Sequence, residues 1–225
     1  MFARILTAMI LFLALSTPAR AEMVLNQVIV DIEQGEAPHD DIEVWNKGDS
    51  RIYVLAEPFE IIAPGTKEEA RIPAVDPDTS GMLIAPQRLI LEPGERRVIR
   101  IVMLGPRPDV DKVYRVAIRP VSGPIETSSH ALQVLVGYDV LVLYRSDKVI
   151  GRIVSHREGN VLTLSNMSNK AQEFYDGKQC SGTGDCVALP AKRLYPGEDW
   201  AIETPGAGPV QYQVAIGSKK ETHTF

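Results

Sequence analysis

The chain has 225 residues, 44% hydrophobic and 24% charged, which is enough apolar material for one large domain or two ordinary ones and excludes a disordered polymer. Its 16 prolines and 17 glycines follow no period, so collagen and long helical coils are excluded as well. A formal charge of −5 argues against attraction of the whole protein to nucleic acid or anionic lipid.

The amino terminus reads as an export signal. Arg4 precedes an almost wholly apolar run over 5–15, and Ala19-Arg20-Ala21 has the small-x-small form of a cleavage site. The run is too short to cross a hydrocarbon core of roughly 30 Å as a helix. The expected division is a signal over 1–21, a first domain over 22–146 and a second over 147–225. No later stretch reaches membrane length, so no membrane insertion is expected. Loss of Arg4 and Arg20 leaves 22 of the 24 basic residues against 29 acidic ones, a net of −7.

Beyond Glu22 apolar and polar residues alternate with period two, the signature of half-buried strands. Val24, Asn26, Val28, Val30 and Ile32 fall on one face of an extended run, with Leu25, Gln27, Ile29 and Asp31 on the other. Further strand-length runs lie at 41–45, 51–57, 88–91, 96–104, 112–120 and 131–144. Turn residues separate them at Asn46-Lys47-Gly48-Asp49, Ala63-Pro64-Gly65, Glu92-Pro93-Gly94-Glu95 and Gly105-Pro106-Arg107-Pro108. Runs at 148–155, 161–165, 172–176, 188–194, 200–203 and 210–216 repeat the pattern. The spacing predicts an all-β protein of two sandwiches joined near Ser146-Asp147-Lys148. Val44-Trp45-Asn46-Lys47-Gly48 is echoed by Leu164-Ser165-Asn166-Met167-Ser168, and Leu91-Glu92-Pro93-Gly94-Glu95 by Tyr195-Pro196-Gly197-Glu198. Neither echo alone establishes a repeat.

Export changes how Cys180 and Cys186 read, because an oxidising compartment lets such a pair form a disulfide. The ring is small and constrains the unfolded chain by roughly 2 kcal/mol. Zinc would need two more ligands, and His39, His130, His156 and His223 are scattered, so no metal is expected. A redox role fits poorly, since the spacing is not C-x-x-C. The sequence has no nucleophile elbow, zincin motif, phosphate loop or dinucleotide fingerprint. Ser128-Ser129-His130 are adjacent in a loop, and adjacency is not triad geometry. Neither catalysis nor a cofactor is expected. Asn166-Met167-Ser168 matches a glycosylation acceptor, and the same residues also make a turn.

The segment 131–136 is apolar on both faces and runs on into 138–144 with only Gly137 to break it. It either crosses the centre of a sheet or lies at an edge, where it could receive another strand.

Several motifs, in order, are similar to the PapD-like periplasmic chaperones of chaperone–usher pilus assembly. They are Ile84-Ala85-Pro86-Gln87-Arg88-Leu89-Ile90-Leu91-Glu92-Pro93-Gly94, then Val98-Ile99-Arg100-Ile101, then Val113-Tyr114-Arg115-Val116-Ala117-Ile118-Arg119-Pro120. Leu132-Gln133-Val134-Leu135-Val136 through Leu143-Tyr144-Arg145 resembles the donor strand of that family, and Asn160-Val161-Leu162-Thr163-Leu164-Ser165-Asn166 resembles the first hairpin of its second domain. The stretch 121–130 resembles the short-loop branch.

The resemblance implies two immunoglobulin-like sandwiches in a boomerang and a chaperone that lends a strand to incomplete pilus subunits. Leu132, Val134 and Val136 would be the groove-filling side chains, and the partners would be fimbrial subunits and an outer-membrane usher. A free donor edge also favours self-association. The family's two cleft cations match Gln27 and Leu141 here, which cannot form ion pairs; Arg115 and Arg119 are the nearest candidates for anchoring a subunit carboxylate. Asp111 and Arg145 match a pair at the domain junction; the third member of the family's cluster is expected to be missing, since its position falls near Gly217. A partly exposed pair there would set the domain angle more than stability, being worth about 0–1 kcal/mol. A different reading of the same residues is a stand-alone periplasmic sandwich that binds an envelope protein or surface polymer. Mass spectrometry of the exported protein should find a chain starting near Glu22 with Cys180 bonded to Cys186; two free thiols in periplasmic protein would refute the pairing.

Overall fold

A computed structural model describes residues 23–121, 135–181 and 184–225. The signal over 1–21, Ser128 to His130, and the donor residues Leu132 and Val134 lie outside these described residues.

The period-two pattern builds strands throughout, but the first run is divided. β1 (Met23–Leu25) pairs antiparallel with β3 (His39–Asn46), while β2 (Ile29–Ile32) runs parallel to β10 (Tyr138–Tyr144) in another sheet. One continuous strand over 24–32 is therefore the wrong reading, and the cause lies between the two pieces. Asn26 exchanges hydrogen bonds with Glu43: its amide donates to the Glu43 carbonyl at 3.1 Å and its Oδ1 accepts from the Glu43 amide at 2.8 Å. Gln27 Nε2 donates to Asp40 Oδ2 and the Asp41 carbonyl, both at 3.1 Å. These bonds tie 26–27 to β3, so the chain crosses between the layers there. Val28, expected on the inner face, is 49% exposed.

The remaining strands of the first sandwich are β4 (Ile52–Ile62), β5 (Ala70–Pro73), β6 (Met82–Ala85), β7 (Arg88–Leu91), β8 (Arg96–Met103) and β9 (Lys112–Val121). One sheet has the order β1-β3-β8-β6; the other runs β2-β10-β9-β4, with β5 and β7 both paired to β4. Val30, Ile42, Ile99, Val116 and Val142, none of them accessible to solvent, fill the space between. Across the outside of the first sheet, Arg100 forks onto Asp41, and this hydrogen bond holds the Asp41 carboxyl below its ordinary range. A single helical turn, α1 (Pro77–Ser80), precedes β6; Asp76 caps it and Gly81 ends it in the left-handed conformation. Buried Tyr114 donates to the Ser80 carbonyl at 2.7 Å, and burial raises its pKa, so it stays a neutral donor.

The second sandwich holds β11 (Ile153–Glu158), β12 (Val161–Asn166) and β16 (Asp199–Glu203) in one sheet, in that order. The other sheet has the order β14 (Cys186–Ala188), β13 (Gln172–Cys180), β17 (Val210–Ile216), β18 (Lys219–Thr224), with β15 (Lys192–Leu194) also on β13. Phe174 meets Trp200 and Tyr212 edge-on, with centroids 6.1 and 5.8 Å apart, and burial pushes the Tyr212 phenol up to about 12. β13 does not stop at 176 as its sequence suggests. It continues through an irregularity at Asp176 and Gly177, where a Cβ on Gly177 would lie 2.2 Å from the Tyr212 ring. The Cys180–Cys186 disulfide closes the hairpin of β13 and β14. No helix among the described residues is long and apolar enough to cross a membrane.

The two sequence echoes are one device used twice. Asn46 is fully buried; its Nδ2 donates to the Ser50 and Leu91 carbonyls at 2.8 and 3.1 Å, and its Oδ1 accepts from Gly48 at 3.0 Å. Asn166, equally buried, donates to the Lys170 and Leu194 carbonyls, each at 2.9 Å, and accepts from Ser168 at 3.0 Å. The Pro-Gly turns dock alike: the Asn46 amide bonds the Glu95 carbonyl and the Gly94 amide bonds the Asn46 carbonyl, as Asn166 does with Glu198 and Gly197. Glu95 and Glu198 each accept from the backbone amide three residues back, Glu92 and Tyr195. The burial of Asn166 makes the turn reading correct and removes it as a glycosylation acceptor. Each asparagine satisfies two carbonyls, so Asn46→Ala or Asn166→Ala should destabilise its own sandwich by about 2–4 kcal/mol in urea unfolding. A loss under about 0.5 kcal/mol, the size of an ordinary surface change, would show the corners to be dispensable.

Candidate functional site

β10 is interior at one end and open at the other. Leu141 to Tyr144 lie between β9 and β2, and the last bond to the β2 side runs from the Leu141 amide to the Val28 carbonyl at 3.0 Å. Tyr138, Asp139 and Val140 pair with Ile118, Ala117 and Val116 of β9 and have no strand on their other side among the described residues. The layer crossing at Asn26 and Gln27 opens this edge, because β2 begins only at Ile29. Val136, the one donor candidate within the described residues, is 52% exposed, and Leu135 beside it is 38% exposed. The Tyr138 hydroxyl reaches across the gap to the Met23 carbonyl at 3.0 Å.

The outer face of this sheet carries ionic side chains. Arg71 of β5 lies 4.1 Å over the Phe59 ring and forks onto Asp139, Nη2 to Oδ1 at 2.8 Å and Nη1 to Oδ2 at 3.1 Å. Arg115 of β9 donates to the Asp139 carbonyl at 3.2 Å and brings its Nε to 3.8 Å from Asp139 Oδ2. These three side chains, with Ile61, Pro64, Glu69, Val113 and Tyr195, line a recess of about 180 Å³ between the sandwiches. Arg119, the other candidate cation, forks onto Glu57 at 2.7 and 3.1 Å and does not line the recess. Arg71 was not legible as a site residue, because β5 is exposed at every position and lacks alternation.

Neutral residues at 27 and 141 have structural explanations. Gln27 ties the layer crossing, and Leu141, 4% exposed, packs with Ile61, Val113 and Leu143 under Tyr195 of the second sandwich. The position thus serves the apolar contact between the two halves.

Arg145, one residue beyond β10, is the centre of the junction. Its Nη1 donates to Asp111 Oδ2 and to the Ala171 carbonyl, both at 2.7 Å. Its Nε and Nη2 fork onto Asp31 of β2 at 2.6 and 2.7 Å. Asp111 in turn accepts from the backbone amides of Ser146 at 2.8 Å and Ala171 at 2.9 Å. Burial works against the charged guanidinium, but hydrogen bonds and charge from Asp31, then Asp111, outweigh it and raise the pKa. The expectation of a partly exposed pair fails, since the Arg145 and Asp111 side chains are 4% and 0% exposed. A second carboxylate, Asp31, joins the cluster from another position than the one expected near Gly217, and it was overlooked because it stood on the polar side of the first run. Near Gly217 the bond has another form: Glu33 accepts from the Ser218 amide at 2.6 Å, and a Cβ on Gly217 would lie 2.5 Å from the Glu33 carboxyl carbon. Among the described residues no group of three or more His, Cys, Asp or Glu side chains could hold a metal.

No protein-family model and no curated protein matches this chain. Solved structures do. The crystal structure of the class 5 fimbriae chaperone CfaA is 19% identical, with a TM-score of 0.65 over 90% of this chain and 98% of that one. A Salmonella enterica structure of SafA pilin in complex with the SafB chaperone matches at 18% identity and a TM-score of 0.65, over 93% and 98%. The E. coli chaperone DraB matches at 18% and 0.63, over 93% and 98%. At these identities the likeness is one of fold: two immunoglobulin-like β-sandwich domains.

Arg145→Met would strand two carboxylates at the junction, so urea unfolding should lose about 3–5 kcal/mol. Asp111→Ala should cost more than Asp31→Ala, whose side chain is 26% exposed against 0%. The reverse order would mean that burial does not govern this cluster.

Proposed function

We propose that this chain is a periplasmic chaperone of pilus assembly, which captures fimbrial subunits by lending them a strand and passes them to an outer-membrane usher. The observation that carries the reading is β10, whose Tyr138, Asp139 and Val140 have a strand on one side only among the described residues, next to a recess holding two arginines. An incomplete sandwich exposes unpaired backbone and an apolar groove, and an added strand satisfies both. Leu132, Val134 and Val136 are the side chains assigned to that groove. The matching folds are those of fimbrial chaperones, one of them in complex with a pilin, which supports the same role. The role needs neither catalysis nor cofactor, and the expected boundaries at 21 and 146 stand as part of the proposal. Without a subunit, the same edge favours pairing of two copies.

Arg115 and Arg71 are assigned as the anchor for the subunit's terminal carboxylate. Arg115 was a candidate from sequence; Arg71 joins it because the two converge on one carboxylate. Arg119 is the weaker candidate, being held by Glu57 outside the recess.

The test is capture of a pilus subunit encoded in the same genome. Val136→Asp places a charge in the subunit's groove and should cost roughly 2 kcal/mol, about thirtyfold in affinity. Thermal unfolding should stay at the parent value, as Val136 is exposed, and Lys219→Ala should bind normally. Undiminished capture by Val136→Asp would end the donor-strand assignment and leave the envelope-binding alternative.

A further inference from the structure

Asp139 is out of place in a recess assigned to an anion. Its carboxylate takes both prongs of Arg71 at 2.8 and 3.1 Å, the fork geometry that an incoming terminal carboxylate would need. Arg115 is divided between the Asp139 carbonyl at 3.2 Å and its Oδ2 at 3.8 Å. Asp139 occupies the Nη1–Nη2 fork of Arg71 and holds Arg115 by one hydrogen bond and one longer ion contact. The remaining acid of the recess, Glu69, is engaged elsewhere, accepting from the Gly65 amide at 2.7 Å.

Asp139 also lies at the point where ligand and recess meet. It belongs to the three residues of β10 that face β9 on one side only among the described residues, so a strand added there passes directly beside it. The side chains of Arg71, Arg115 and Asp139 are 39%, 33% and 46% exposed, so the contact can open without disturbing the core.

Resting on the carboxylate-anchor reading above, we infer that Asp139 is a built-in surrogate for the ligand's terminal carboxylate. In the free protein it holds Arg71 and Arg115 in position and keeps stray anions off them. On capture it gives way to the carboxylate of the added strand. With Glu69 included, the two arginines and two carboxylates of the recess balance before exchange, so an incoming carboxylate is drawn by the arginine forks that Asp139 releases and not by net charge. A strand without a free carboxylate cannot displace Asp139 and gains nothing from the arginines.

The test uses the purified mature chain and an acetylated peptide of alternating valine and threonine, made with either a free or an amidated carboxyl terminus. An exposed ion pair is worth up to about 1 kcal/mol, so Asp139→Asn should bind the free acid about fivefold tighter than the parent does. Affinity for the amide should not change, and adding Arg71→Gln to Asp139→Asn should abolish the gain. If Asp139→Asn leaves free-acid binding unchanged or weaker while Arg115→Gln weakens it, Asp139 is a fixed support; the surrogate is overturned and the anchor stands. If free acid and amide do not differ on either protein, including failure of both to bind, the anchor falls and the surrogate with it. Asp139→Ser, read the same way, replaces the asparagine variant should that one unfold early.

Discussion

A single buried guanidinium governs the arrangement of this chain. Arg145 sits between Asp31 and Asp111 with a bond to the Ala171 carbonyl, so one side chain collects the end of β2, the residue before β9, the exit from β10 and the second sandwich. Burying Arg145 and Asp111, with Asp31 part-covered beside them, is a poor way to gain stability, because desolvation offsets much of their attraction. It is an effective way to specify geometry, because any other arrangement leaves a carboxylate or guanidinium without its partner. The Tyr144 end of β10 is thereby fixed in register, while its Tyr138 end has β9 as its one strand neighbour among the described residues.

The recess follows from that anchoring. Tyr195 approaches from the second sandwich onto Ile61, Val113, Leu141 and Leu143, while Glu33 reaches the Ser218 amide at another point of the same junction. With an apolar contact and several polar ones, the halves hold the arginines of the sheet face near Tyr195 of the other domain. The cation–ring stack of Arg71 on Phe59 limits where its fork can point.

Much of this was legible in the sequence, for reasons that also mark where legibility ends. Period two located strands in both halves, because one face of each strand meets a core. The Asn46 and Asn166 echoes were visible as letters, but only the bonds to Leu91 and Leu194 show them to be the same corner. The crossing at Asn26 and Gln27 was invisible because it depends on partners more than ten residues away, and the apolar alternation continues straight through it. Arg71 and β5 left no pattern, since a strand paired to the sheet with every residue exposed has no hydrophobic face to betray it. Asp111 and Arg145 were reached by resemblance alone, and their burial could not be, because it involves Ala171 of the second domain, whose amide donates to Asp111 and whose carbonyl accepts from Arg145.

The rim of the second sandwich contrasts with the open edge of the first. β18 reads Lys-Lys-Glu-Thr-His-Thr, is exposed at all six positions and pairs on one side with β17. Charge at such a rim repels a further strand. Under the proposed role a strand joins at the Tyr138 end of β10, while the charged rim of β18 discourages one from joining there.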